Sequence, residues 1–217
     1  RSDYLQERPL LDALELGYGS IEVDVHLFKD ELVVSHYSLG LKKKPSIEEL
    51  YFEPLRLWMS LYALNYLPPN PPLEIMVDFK SEGLASYLKL KALVEAFPGL
   101  FERYIDGERQ AGPVRLVISG NRPVDVILSD EDRIAVLDGR IADLGKGISS
   151  DLMPRVSSSY NSVLSWNGRG EIPDADFEKF TDLMEEAKKE GKAFRFWAAP
   201  ETNAWWELCA AHENALV

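Results

Sequence analysis

Several things are missing from this 217-residue chain, and each absence narrows the field. Cys209 is the only cysteine, so no intrachain disulfide and no cysteine-based zinc site can form. Basic residues are scarce: 24 lysines and arginines face 36 acids, a net charge of -12. The only basic run is Lys42-Lys43-Lys44, which excludes an extended nucleic-acid groove. No apolar run approaches the length of a membrane span. No glycine-rich phosphate loop follows any predicted strand, which argues against nucleotide binding. Neither an internal repeat nor a signal peptide is visible. Because the chain opens abruptly at Arg1, a secreted or extracytoplasmic origin with its leader outside these residues stays open. The oligomeric state is not legible.

What is present is a full apolar complement, 46% of residues, enough for one sizeable domain over 1–217. Two stretches carry the strongest pattern. In Ile21-Glu22-Val23-Asp24-Val25-His26-Leu27 and Leu73-Glu74-Ile75-Met76-Val77-Asp78-Phe79-Lys80, side chains two apart share a face. Each strand has one apolar face and one face carrying acids.

Around these, the order reads as helix, then strand and helix alternating. Helices are expected over 9–16, 47–66 (a Ser46/Glu49 capping box, with a kink at Pro54), 83–97 (capped by Ser81), 123–128, 174–190 (capped by Asp174) and 201–212. Pro68 to Pro72 reads as a stiff loop. Further strands are expected over 32–36, 114–119, 133–137, 155–159, 193–198 and from 214. Residues 138–153 read as a long loop. Strand–helix alternation argues for a parallel sheet. Polar faces on two strands favour a TIM-type (β/α) barrel over an open sheet, whose central strands are apolar on both sides. The barrel is expected to lack its first strand and to be clipped in its last.

In a barrel mouth, Glu22, Asp24 and Asp78 converge. Crowded carboxylates repel unless a cation sits among them, and oxygen donors suit Mg²⁺ or Ca²⁺. Lys80 supplies positive charge for an anionic ligand, and His36 can serve as acid or base. The competing reading is a solvated sheet face, about level on pattern alone. His26 reads as a packed barrel residue and His212 as a surface group. Tryptophans are more often core, but Trp197 shares a face with Arg195 near a strand end. A glycoside hydrolase using Glu22 lacks a clear second acid.

The segments Pro9-Leu10-Leu11-Asp12-Ala13-Leu14, Ile21-Glu22-Val23-Asp24-Val25 and Leu32-Val33-Val34-Ser35-His36 resemble the start of glycerophosphodiester phosphodiesterases and their phospholipase C-like relatives. Val77-Asp78-Phe79-Lys80 resembles that superfamily's third-strand motif. Asp3-Tyr4, residues 118–123 and Arg195-Phe196-Trp197 are similar to a less characterised branch. The resemblance implies a metal-dependent phosphoric diester hydrolase of the TIM-barrel class, active on a small phosphodiester or phospholipid-derived substrate. Glu22, Asp24 and Asp78 match the ligands of one divalent metal, Mg²⁺ or Ca²⁺. His36 matches the general acid and Lys80 the phosphate-side lysine. Where that branch has a first catalytic histidine, this chain has Arg1, a substrate-side cation in place of a base. A barrel that only binds a phosphorylated ligand is therefore the alternative.

Overall fold

The computed structural model describes residues 3–62 and 72–216. Arg1, the end of the expected helix over 47–66 and most of the proline-rich loop lie outside the described residues. The chain divides into two compact units, Arg1–Val136 and Leu137–Val217. It is a mixed α/β protein whose strands pair mostly in parallel.

In the first unit a short helix α1 (Leu11–Glu15) precedes β1 (Ser20–Phe28). The helix starts later than expected, because Leu10 sits at φ 65 and breaks the turn after Pro9. Lys29 and Asp30 both adopt positive φ, a tight turn that returns the chain as β2 (Glu31–Val34), antiparallel to β1. The Ser46/Glu49 box forms reciprocally, at 3.0 and 3.1 Å. Pro54 does not kink a helix interior. A π turn over Glu48–Phe52 absorbs the irregularity, and α2 (Glu53–Tyr62) starts one residue before the proline.

Next comes β3 (Leu73–Phe79), then α3 (Gly83–Val94). Glu82, not Ser81, caps α3: its carboxylate accepts from the Leu84 and Ala85 amides. Ser81 Oγ instead accepts from Leu27 N at 2.8 Å. A hairpin of β4 (Arg103–Ile105) and β5 (Glu108–Gln110) turns at Asp106-Gly107, both at positive φ. Then follow β6 (Val114–Gly120) and α4 (Val124–Ser129). The sheet order in this unit is β2-β1-β3-β6.

Register then decides what each face carries. Ile21, Ile75 and Leu116 align, as do Val23, Val77 and Ile118, and all are buried. Each such side chain contributes on the order of 1.5–3 kcal/mol by burial. On the other face Glu22, Met76 and Val117 align, followed toward the strand C-termini by Asp24, Asp78 and Ser119. Met76, Val117, Tyr104 and Val136 form an apolar cluster level with Glu22. That face carries Ser20, Glu74 and Arg115 at its amino end and is acidic again at the carboxyl ends, where ligands bind in parallel sheets.

The second unit pairs β7 (Val136–Gly139), β8 (Arg155–Ser159), β9 (Ala193–Trp197) and β10 (Ala215–Leu216) in that order, all parallel. β7 falls three residues later than the expected 133–137. The helices are α5 (Tyr160–Val163), α6 (Asp174–Lys189) and α7 (Asn203–Ala210). Val156, Phe194 and Phe196 pack with Phe180 and Trp205 in one core. Asp174 does not cap α6. Asp176 does the anchoring: its buried Oδ2 accepts from Ser165 N, Ser165 Oγ and Trp166 N at 2.8–2.9 Å. Burial alone would raise this carboxyl, but those hydrogen bonds hold it below the ordinary aspartate value.

Candidate active site

The acidic end of the first unit's sheet is built by adjacency. Because Asp24 and Asp78 are register partners on parallel strands, their carboxylates stand side by side. Glu22, two residues back, projects from the same face. One ligand atom from each of Glu22, Asp24 and Asp78 lies within 4.8 Å of the others. Opposed ligands of one Ca²⁺ stand roughly 4.6–5.2 Å apart, and those of Mg²⁺ about 4.0–4.2 Å. The cluster is thus within reach of a single ion.

Its hydrogen bonds are asymmetric. Asp24 is nearly enclosed, and its Oδ2 receives Tyr4 OH at 2.6 Å and His36 Nδ1 at 2.7 Å. Lys80 Nζ lies 3.2 Å from Asp24 Oδ1 and donates to Asp78 Oδ2 at 2.8 Å. Burial pulls the Lys80 ammonium down, yet the hydrogen bond and charge of Asp78, with Asp24 behind it, leave it above its ordinary value. Asp78 Oδ1 is buried with no hydrogen-bond partner. A buried carboxylate oxygen without a donor is costly, and a cation is one way to satisfy it. Three carboxylates against one ammonium leave the cluster negative. The donor set fits a hard divalent ion.

Other elements hold these groups in place. Ser35 N donates to the Asp24 carbonyl at 3.0 Å, which brings His36 back over β1 after the hairpin. Bonded to a carboxylate through Nδ1, His36 leaves Nε2 for proton transfer, and its side chain is 53% exposed. Gly120 ends β6 at φ +68, and a Cβ there would stand 2.1 Å from Asp78 Oδ1. Only glycine fits both the backbone angle and the close approach.

The acidic part of the Asp3-Tyr4 pair is structural. Asp3 Oδ2 accepts from Leu10 N and Tyr51 OH, both at 2.8 Å, and burial together with Asp3 pushes the Tyr51 phenol up. Tyr4 reaches the site itself, a role that residue type alone did not signal. His26 is buried on β1 with Nε2 unpartnered, in keeping with a packed residue. Arg195 and Trp197 stand on β9 in the second unit, where Trp197 is half exposed. That unit also holds a buried Asp138, which sequence reading passed over as loop. Ser157 Oγ donates to it at 2.5 Å and Arg140 Nη1 at 2.8 Å.

A mostly parallel α/β sheet that carries three carboxylates, a lysine and a histidine at its carboxyl ends is suited to holding a hard cation and to acid–base chemistry. The chain belongs to the AIM6-like phosphodiesterase domain family, whose model matches residues 1–138 and so includes every member of the cluster. It is similar to the altered inheritance of mitochondria protein 6 homolog of Arthroderma benhamiae, 26% identical over 229 residues, covering 92% of this chain and 71% of that one. It is also similar to altered inheritance of mitochondria protein 6 of Eremothecium gossypii, 28% identical with 92% and 59% covered. The Kluyveromyces lactis protein of that name is 23% identical, with 92% and 62% covered. The chain thus spans about three-fifths of the length of the latter two. No solved structure matches. No helix among the described residues is long and apolar enough to cross a membrane.

Proposed function

We propose that this chain is a divalent-metal-dependent phosphoric diester hydrolase of the glycerophosphodiester phosphodiesterase and phospholipase C-like superfamily, with residues 1–217 forming one TIM-type barrel domain. The observation that carries the reading is the Glu22/Asp24/Asp78 cluster with Asp78 Oδ1 buried and unpartnered, in a phosphodiesterase-family domain. Glu22, Asp24 and Asp78 would hold Mg²⁺ or Ca²⁺. Bound there, such an ion supplies charge for a non-bridging phosphate oxygen and for the attacking hydroxyl.

The remaining work falls to side chains. Asp24 fixes His36 through Nδ1, so the Nε2 proton can pass to the departing alcohol oxygen. Lys80, ion-paired with Asp24 and Asp78, would supply positive charge to a second phosphate oxygen. Tyr4 keeps Asp24 from rotating away. Arg1, Arg195 and Trp197 are proposed as substrate-contacting groups on the sequence pattern alone. The test is turnover of bis(p-nitrophenyl) phosphate with Mg²⁺ or Ca²⁺, with and without chelator. Metal-dependent turnover is expected, and its absence overturns the proposal.

One observation favours a second reading, a barrel that binds a phosphorylated ligand without turning it over: Arg1 stands where a base is expected. Under that reading Arg1→His raises turnover by about 10²-fold or more. An unchanged rate removes Arg1 as the cause of any deficit.

A further inference from the structure

We propose that residues 36–44 form a docking loop for an anionic lipid surface, with Tyr37 and Leu39 entering the interface and Lys42, Lys43 and Lys44 lying on the headgroups. Of these nine residues only Leu41 is buried. Tyr37 is 74% exposed and Leu39 88%. A single exposed apolar residue is ordinary. Here two lie within three positions, beside the only basic run of a chain whose net charge is -12. The Lys43 and Lys44 amides donate within the turn, to the Gly40 and Leu41 carbonyls, while none of the three side-chain ammonium groups has a partner among the described residues.

The loop is tied down at its base and at its middle. Val34 N donates to the Pro45 carbonyl at 2.9 Å and closes its base. Ser35 Oγ donates to the Tyr37 carbonyl at 2.8 Å, and Leu41 anchors the middle. A preformed tip carries little ordering cost on binding.

Lipid fits better than an acidic protein because the chemistry is layered. Tyrosine and leucine suit the headgroup–acyl boundary, and lysines with long stems reach anionic headgroups from just above it. The rest of the chain is acidic, so an anionic surface repels it and selects this loop. His36, which opens the loop, is 2.7 Å from Asp24, so docking brings the carboxylate cluster close to the bilayer. That last consequence rests on the proposed phosphodiesterase reading and would give the enzyme phosphodiesters presented at a membrane.

The experiment is co-sedimentation of the 217-residue chain with phosphatidylcholine vesicles, with and without about one-third phosphatidylserine. Partitioning onto the anionic vesicles alone, falling with salt, is expected. Replacing all three lysines by glutamine should lower it on the order of 100-fold at low salt. Tyr37→Ser with Leu39→Ser should lower it roughly tenfold or more. Both variants change exposed positions, and unchanged melting confirms that they fold. Equal binding to neutral vesicles, no binding to either, or indifference to both variants overturns the proposal. So does binding that depends on the lysines alone and is competed equally by soluble polyglutamate, the signature of an acidic protein partner. Turnover of a soluble phosphodiester is read in parallel. An inactive chain that still partitions supports docking, and an active chain that does not partition overturns it.

Discussion

Gly120→Ala tests the site's geometry from a residue that has no side chain of its own to offer a ligand. An alanine at φ +68 costs roughly 1–2 kcal/mol of backbone strain. In a chain of this size that lowers the melting temperature by about 2–8 °C. The larger consequence is local. The new Cβ would stand 2.1 Å from Asp78 Oδ1 and 2.5 Å from the Phe79 carbonyl. Ordinary contact needs about 3.5 Å. The carboxylate must therefore retreat by more than an ångström, or β6 must separate from β3. A misplacement of about 1 Å costs on the order of 10²-fold in turnover. The assays are calorimetric titration with Mg²⁺ or Ca²⁺, hydrolysis of bis(p-nitrophenyl) phosphate and a thermal melt. Expected are a folded protein, weakened ion binding and turnover reduced about 100-fold. A folded variant with ion affinity and rate both within twofold of the parent would refute the claim that Asp78's position matters.

Four further outcomes are expected. Lys80→Met removes the cation competing for Asp24 and Asp78, so ion binding tightens while turnover falls roughly 10²–10³-fold; loss of both would make Lys80 a structural residue. His36→Ala lowers turnover by about 10²–10⁴-fold and spares ion affinity, as kinetics and calorimetry together would show. Ser46→Ala costs about 1 kcal/mol in denaturant unfolding and leaves ion binding alone, because it removes only a helix cap. Asp176→Ala strands the amides of Ser165 and Trp166 and costs roughly 1–3 kcal/mol at neutral pH. Since the Asp176 carboxyl is held below its unfolded value, its contribution is full above that value and is lost as pH falls through the folded one. Melts of parent and variant should converge in acid.

How much of this was legible in the sequence depends on how local each cause is. The two alternating strands declared both faces, and the crossover between them implied that they run parallel, but the register that sets Asp24 beside Asp78 was not legible, because a crossover fixes direction and not offset. The hairpin at Lys29-Asp30 brought His36 over Asp24 as the turn required. The β4–β5 hairpin was missed although Asp106-Gly107 is a strong turn signal, because its strands are short and polar. The caps went wrong where side chains a few residues apart competed. Ser81 was drawn to the Leu27 amide on another element, which left Glu82 to cap α3. Asp176, not Asp174, serves α6, because the loop at Ser165 folds back over it. Tyr4 and Gly120 were invisible as site residues for a related reason. Their roles come from contacts with Asp24 and Asp78 across long stretches of chain, which periodicity cannot encode.

The central claim is that Glu22, Asp24 and Asp78 together hold one divalent ion. Isothermal titration of the chelator-treated chain with Mg²⁺ and with Ca²⁺, beside Glu22→Gln and Asp78→Asn, addresses it directly. The account predicts one ion per chain in the parent and at least a tenfold loss of affinity in either variant, since each removes a ligand charge. Equal binding by the parent and both variants, or no saturable binding to the folded parent, would contradict it.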